Sequence, residues 1–241
     1  MADAPGSPSP QRPATGGLAS PDLSEVRAAI FDVGETLIDE TREYGTWADW
    51  LGVPRHTFSA VFGAVLARGE DYRQVFQHFR PGFDLAAERQ ARLDAGFGEY
   101  FNAQDLYGDA RPALQSLKDA GFFVGIAGNQ TSRAEQFIRE LHLPADLITT
   151  SDHLGAEKPS TDFFHGLLAL TRFPPQQVIY VGDRLENDIY PAQAVGLRTA
   201  FIKRGPWANT YPETSTSLTP DLTLRNLEEL PQILSGLSTR R

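Results

Sequence analysis

Five short apolar runs divide the chain, at residues 27–33, 122–127, 147–150, 178–181 and 198–202, and most stop at or near a glycine or a polar turn. Runs of four to eight such residues suit strands buried on both faces. Between them the apolar spacing changes to that of helices. Residues 109–120 carry Leu114 and Leu117 and end at Gly121, a natural helix terminator. Ser132 and Glu135 have the spacing of a capping box, which predicts a helix through Leu141. Ser160 is placed to cap a further helix bearing Phe163, Phe164, Leu167 and Leu168, and residues 186–195 predict another, closed by Gly196. Alternating strands and helices of this length predict an α/β fold, a doubly wound parallel sheet with right-handed crossovers and helices on both faces.

One segment interrupts the alternation. Residues 40–104 contain no buried-strand run, only amphipathic stretches with scattered arginines and the aromatics Trp47, Trp50, Tyr72, Phe76 and Phe79. They predict a small helical domain inserted after the first strand, with Trp47, Trp50, Phe76 and Phe79 as its core. The core fold is then assigned to 25–39 and 105–235. Residues 1–24 are rich in Pro, Ala, Gly and Ser, too poor in apolar side chains to offset ordering entropy, and predict a disordered tail. A loose end is expected at 236–241.

Composition narrows the function. A net charge of −9 argues against a nucleic-acid surface. No stretch has the roughly 18–20 consecutive apolar residues of a membrane span. The opening residues lack the basic start and apolar run of a signal peptide, so a cytoplasmic location is expected. The absence of cysteine excludes disulfides, thiolate metal sites and cysteine nucleophiles.

In a doubly wound sheet, ligands bind beyond the carboxyl ends of the strands. Asp32 ends the first strand, Gly128 and Asn129 follow the second, and Gly182 and Asp183 follow the fourth. Lys158 lies in a Glu-Lys-Pro-Ser turn before a helix, and Asp188 comes five residues after Asp183. Two carboxylates side by side in a partly buried site repel unless a cation neutralises them. Oxygen ligands without thiolates suit magnesium, which also takes a phosphate oxygen of a substrate. A carboxylate can act as a covalent nucleophile, with lysine and metal offsetting charge on the transferring group. Asp188 is placed to order metal-bound water or to hold the lysine.

These residues together resemble the haloacid dehalogenase superfamily. Ile30-Phe31-Asp32-Val33-Gly34-Glu35-Thr36-Leu37 is similar to its first motif, a strand ending in Asp-x-Asp-Gly-Thr-Leu. Gly128-Asn129 falls at the second motif, Lys158-Pro159 at the third, and Gly182-Asp183 through Asp188 at the fourth. The four occur in order between Ile30 and Ile202. The resemblance implies a Rossmann-like core with a helical cap and a magnesium-dependent hydrolase acting on a small phosphorylated metabolite. Asp32 would be the nucleophile and a metal ligand, with the Gly34 backbone carbonyl, Asp183 and Asp188 completing the metal site. Lys158 would steady Asp32 and the phosphoryl group. No nucleic-acid or membrane partner is implied, and the state is monomer or homodimer.

The chain departs from that pattern at three positions. Family phosphatases carry a second Asp two residues after the nucleophile, as general acid and then base; here it is Gly34, followed by Glu35 in place of Gly. Gly128 replaces the hydroxyl residue of the second motif, leaving Asn129 or Thr131 to contact the phosphoryl group. General acid–base catalysis is worth about 10²–10⁴-fold. A cap histidine, His56 or His78, or a good leaving group would compensate better than Glu35, whose neighbouring position aims it elsewhere. A binding protein without efficient catalysis is the second reading. A metal-free 2-haloacid dehalogenase is the third, although such a site has no reason to keep Asp183 and Asp188. The stretch Arg204-Gly-Pro-Trp207 is read by default as a surface loop, with a place at the border of the site as the alternative.

Overall fold

The computed structural model describes residues 22–210 and 219–238. The expected tail therefore falls outside the described residues up to position 21, as do residues 239–241. Leu23 is buried within the main core, so the folded region includes the last residues assigned to the tail. Gly236 and Leu237, expected to be loose, lie in the final helix.

Among the described residues, six parallel strands form one sheet in the order β3-β2-β1-β4-β5-β6. They are β1 (Ala28–Phe31), β2 (Phe123–Gly128), β3 (Leu147–Thr150), β4 (Val178–Gly182), β5 (Arg198–Ile202) and β6 (Leu222–Leu224). The five apolar runs give the first five. The sixth was not anticipated: it has three residues at the sheet edge, and only Leu224 is buried, too short a pattern to stand out.

Strand alternation divides the core into two layers. Ala29 and Phe31 of β1 join Val124, Ile126, Ile179 and Val181 on one face. That face is covered by helices α5 (Ala110–Asp119), α6 (Ser132–Glu140) and α11 (Glu229–Ser238). Ala28 and Ile30 point the other way, with Val178 and Tyr180, onto Phe163, Phe164 and Leu167 of α8 (Thr161–Thr171), which follows the short α7 (Ser151–Leu154). Each fully buried large apolar side chain contributes about 1.5–3 kcal/mol, so both layers are needed to hold β1 in the centre.

Helices α1 (Thr41–Leu51), α2 (Arg55–Ala67), α3 (Gln74–Phe79) and α4 (Leu85–Asp94) form the insertion. Its core contains Trp47, Phe58, Phe62, Val75, Phe76 and Phe83. Trp47 and Phe76 are buried as expected, whereas Trp50 and Phe79 only pack against the edge. Trp50 instead donates its indole N–H to Glu88 at 2.7 Å. Arg204 to Trp207 is not a surface loop. It leads into α10 (Gly205–Thr210), and Trp207 is buried against Phe62 with ring centroids 5.3 Å apart. The sheet-bearing part of the chain thus supplies one aromatic to the core of the insertion.

Register places the site. Phe31 is paired with Ile126 on one side and Val181 on the other. The residues that follow these three strands therefore emerge at one edge of the sheet.

Candidate active site

Asp32 leaves β1 with its backbone N–H donating to the Val181 carbonyl at 2.8 Å, which ties it to the strand that delivers Asp183. Asp183 follows β4, and a short π-helical turn, Leu185–Ile189, brings Asp188 back towards it. The predicted helix over 186–195 is thus split: this turn comes first, then α9 (Tyr190–Ala194), with Gly196 at φ 86° beyond it. Asp32, Asp183 and Asp188 each offer a carboxylate oxygen, all within 4.8 Å of one another. None of the three residues is more than 6% exposed.

Lys158 is the cation in this cluster. Its Nζ lies 2.7 Å from Oδ1 of both Asp32 and Asp188, and 5.4 Å from the ring centroid of Tyr180 beneath it. Burial acts to lower the lysine pKa but is outweighed by the charges of Asp188 and Asp32, which hold it well above its usual value. Asp188 therefore holds the lysine, one of its two expected roles. Its Oδ2 also accepts the Arg184 backbone N–H at 2.9 Å. Burial raises the Asp32 carboxyl from its usual 3.8 to about 6, with Lys158 opposing and Asp188 adding to the rise.

Asp183 is in a different position. Its Oδ2 is buried with no hydrogen-bond partner. Burial, followed by the charges of Asp188 and Asp32, pushes its carboxyl well above the usual range. With all three acids ionised, three carboxylates and one ammonium leave two negative charges in the cluster, which the Arg184 charge opposes only in part at Asp183, at an edge where one oxygen has no donor. Buried polar atoms are nearly always satisfied, and the donor set is all oxygen. Both features fit a hard divalent cation such as magnesium.

The second-motif positions are used differently from the expectation. Asn129 Nδ2 donates to the Lys158 carbonyl and its Oδ1 accepts the Lys158 backbone N–H, both at 2.8 Å. Its side chain thus clamps the backbone that carries the lysine. Thr131, not Ser132, caps α6 by accepting the Ala134 N–H at 3.0 Å. The Thr131 hydroxyl also donates to Glu99, while Asp152 accepts the Ser132 N–H. Both side chains proposed as phosphoryl contacts already have protein partners. Gly128 has a steric reason: a Cβ there would lie 2.6 Å from Asp32 Oδ1 and 3.1 Å from Val33 Cγ2.

Glu35 stands at φ 51°, a left-handed conformation costing roughly 1–2 kcal/mol for a residue with a Cβ. Tyr107 donates its hydroxyl to Glu35 Oε2 at 2.5 Å, and the Glu40 N–H donates to Oε1 at 3.3 Å. Burial raises its pKa, against the Tyr107 bond. Its carboxylate is occupied in bracing the loop. His56 and His78 are exposed on the insertion and line neither cavity at the site. The residue sequence reasoning missed is Glu40, whose carboxyl is aimed at Gly34. Burial, then the charges of Glu35 and Asp32, raises its pKa well above the usual value. Val33, Gly34 and Glu40 line a small cavity at the sheet edge. It shares Arg42, Glu43 and Tyr100 with a cavity of about 440 Å³ that is also lined by Trp50, Arg92 and Phe97.

A doubly wound sheet with an acid–lysine cluster at its carboxyl edge and helices inserted after the first strand defines a Rossmann-like α/β core with an inserted helical cap. The chain matches the haloacid dehalogenase-like hydrolase family over residues 26–196 and belongs to it. The glyceraldehyde 3-phosphate phosphatase of Pyrococcus furiosus is 28% identical over 237 residues, covering 89% of this chain and 94% of that one. The ribulose-1,5-bisphosphate 5-phosphatase of Halopiger xanaduensis is 30% identical over 162 residues, covering 65% and 66%. Among solved structures, the magnesium-bound HAD-hydrolase YfnB of Bacillus subtilis superimposes with a TM-score of 0.66 at 21% identity, covering 87% of this chain and 98% of its own. The L-2-haloacid dehalogenase PA0810 also shares the fold, at a TM-score of 0.55 and 22% identity, covering 87% and 99%. Fold alone therefore does not separate the two chemistries. Among the described residues no helix is long and apolar enough to cross a membrane.

Proposed function

We propose that the protein is a magnesium-dependent phosphatase of small phosphorylated metabolites, with Asp32 as the nucleophile. The observation that carries this reading is the unpartnered buried Oδ2 of Asp183 within reach of Asp32. A metal-free dehalogenase has no use for the buried, unpartnered Asp183 oxygen beside Asp32. Asp32, Asp183, Asp188 and the Gly34 carbonyl are the residues that would hold the ion. When bound, magnesium supplies charge neutralisation for the phosphoryl group and the carboxylates around it.

The chain's own groups then have distinct tasks. Asp32 Oδ attacks phosphorus and forms an aspartyl-phosphate as the bond to the leaving oxygen breaks. Lys158, fixed by Asp188 and by the Asn129 clamp on its backbone, holds the nucleophile in place and offsets charge on the equatorial oxygens. Water then attacks phosphorus and releases phosphate, restoring Asp32. The cavity of about 440 Å³ is of a size for a small ligand, and its two arginines are already paired, Arg42 with Asp105 and Arg92 with Glu43. Phosphatases of glyceraldehyde 3-phosphate, ribulose 1,5-bisphosphate and phosphoglycolate among the relatives support a substrate of that class.

The test is phosphate release from those three compounds and from p-nitrophenyl phosphate, with magnesium and with EDTA. Wild type should hydrolyse at least one of them only with magnesium, and Asp32→Asn should be inactive. Equal rates in wild type and Asp32→Asn, or hydrolysis indifferent to EDTA, would refute the reading.

A further inference from the structure

Gly34 raises a question of where proton transfer to the leaving group comes from, and the space beside it holds the answer. A Cβ built on Gly34 would lie 2.6 Å from Glu40 Oε1, 2.8 Å from its carboxyl carbon and 3.2 Å from Oε2. A side chain at 34 and the present Glu40 carboxyl therefore exclude each other. The carboxyl reaches this place because the chain turns back on itself: Gly34 and Ile38 form a bridge, and the Glu35 N–H donates to the Ile38 carbonyl at 2.7 Å. Glu40 then stands immediately before α1, with its backbone N–H on Glu35. It lines the same cavity as Val33 and Gly34, the two residues that follow Asp32. The other acids nearby are engaged. Glu35 is turned onto Tyr107 and packed against Gly205, where a Cβ would come 2.7 Å from its Oε2. Of those lining the cavity, Asp105 pairs with Arg42, Glu43 with Arg92, Glu99 accepts from Thr131 and Asp39 from the Thr41 N–H.

We infer that Glu40 is a catalytic residue, the proton donor to the leaving oxygen, and that glycine at 34 is what makes room for its carboxyl. This inference rests on the phosphatase reading above. As the Asp32 oxygen–phosphorus bond forms and the ester P–O bond breaks, the Glu40 carboxyl gives its proton to the departing oxygen, so that the alcohol leaves neutral. In the second step the Glu40 carboxylate takes a proton from the water that attacks the aspartyl-phosphate. One water is consumed, one alcohol and one phosphate are released, and Glu40 ends as it began.

The experiment compares kcat/KM, which reports steps up to phosphoryl transfer to Asp32, for glycerol phosphate, phenyl phosphate and p-nitrophenyl phosphate. A missing proton donor matters most where the leaving group is most basic. Glu40→Gln should lose about 10²–10⁴-fold on glycerol phosphate and progressively less towards p-nitrophenyl phosphate, with an unchanged melting temperature. The double variant Gly34→Asp/Glu40→Ala, which moves the carboxyl to the other side of the same space, should recover at least tenfold over Glu40→Ala on glycerol phosphate. A loss equal for all three esters, or no loss, would overturn the role of Glu40 while leaving the phosphatase reading in place. Failure of the double variant to recover activity, although folded, would overturn the claim that the two positions share one space. A wild type that hydrolyses none of the esters would overturn the phosphatase reading and this role with it.

Discussion

Replacing Asp183 by asparagine should stabilise the metal-free protein while removing its response to magnesium. The Asp183 carboxylate is 1% exposed, has an unpartnered oxygen, and faces Asp32 and Asp188. The Asn side chain has almost the same shape, carries no charge, and can donate to either neighbouring carboxylate. Relieving one buried unsatisfied group is worth about 1–3 kcal/mol. At about 2–4 °C per kcal/mol for a domain of this size, the variant should melt roughly 2–12 °C above wild type in EDTA. Wild type should gain about 2.7 kcal/mol when magnesium is a hundredfold above its dissociation constant, which is about 5–10 °C. The variant should gain almost nothing. Circular dichroism melts of both proteins, with EDTA and with saturating magnesium, give all four numbers. A variant that melts below wild type in EDTA, or that keeps the full magnesium shift, would refute the claim that this oxygen is an uncompensated cation seat.

Other outcomes follow from the same contacts. Asp32 has its carboxyl raised from 3.8 to about 6, so between these values the folded state binds more protons than the unfolded one and stability falls as pH rises; urea melts in EDTA should show a more stable protein near about pH 5 than near about pH 7, and magnesium should flatten the difference. Lys158→Met removes the ammonium held between Asp32 and Asp188, and should abolish hydrolysis and lower stability by about 3–5 kcal/mol, read by denaturant titration. Trp207→Ala takes a buried ring from the insertion's core, with a loss of about 3–5 kcal/mol and faster hydrogen exchange in α2 than in β1.

The sheet was legible because five of its strands are buried on both faces and read as bare apolar runs. Charge at the sheet edge was legible too, since Asp32, Asp183, Asp188 and Lys158 each sit at a strand end or turn. What sequence could not supply was the partner of each side chain. Thr131 and Ser132 are adjacent hydroxyls and either could cap a helix; Thr131 does so, while Asp152, from beyond β3, takes both the Ser132 N–H and its hydroxyl. Glu40 stayed hidden for a similar reason. Its approach to Gly34 depends on the Gly34–Ile38 bridge and on the left-handed turn at Glu35, neither of which has a signature in spacing. Trp207 follows the last clear strand, where a surface loop is the default, and only the packing of the insertion buries it.

The most direct test of the central claim is to trap the covalent intermediate. Protein turning over a substrate with magnesium is quenched, reduced with borohydride, digested and examined by mass spectrometry. An aspartyl-phosphate at Asp32 should yield homoserine at position 32, dependent on substrate and absent from Asp32→Asn. Reduction at a different carboxylate, or continued turnover by Asp32→Asn, would contradict the account.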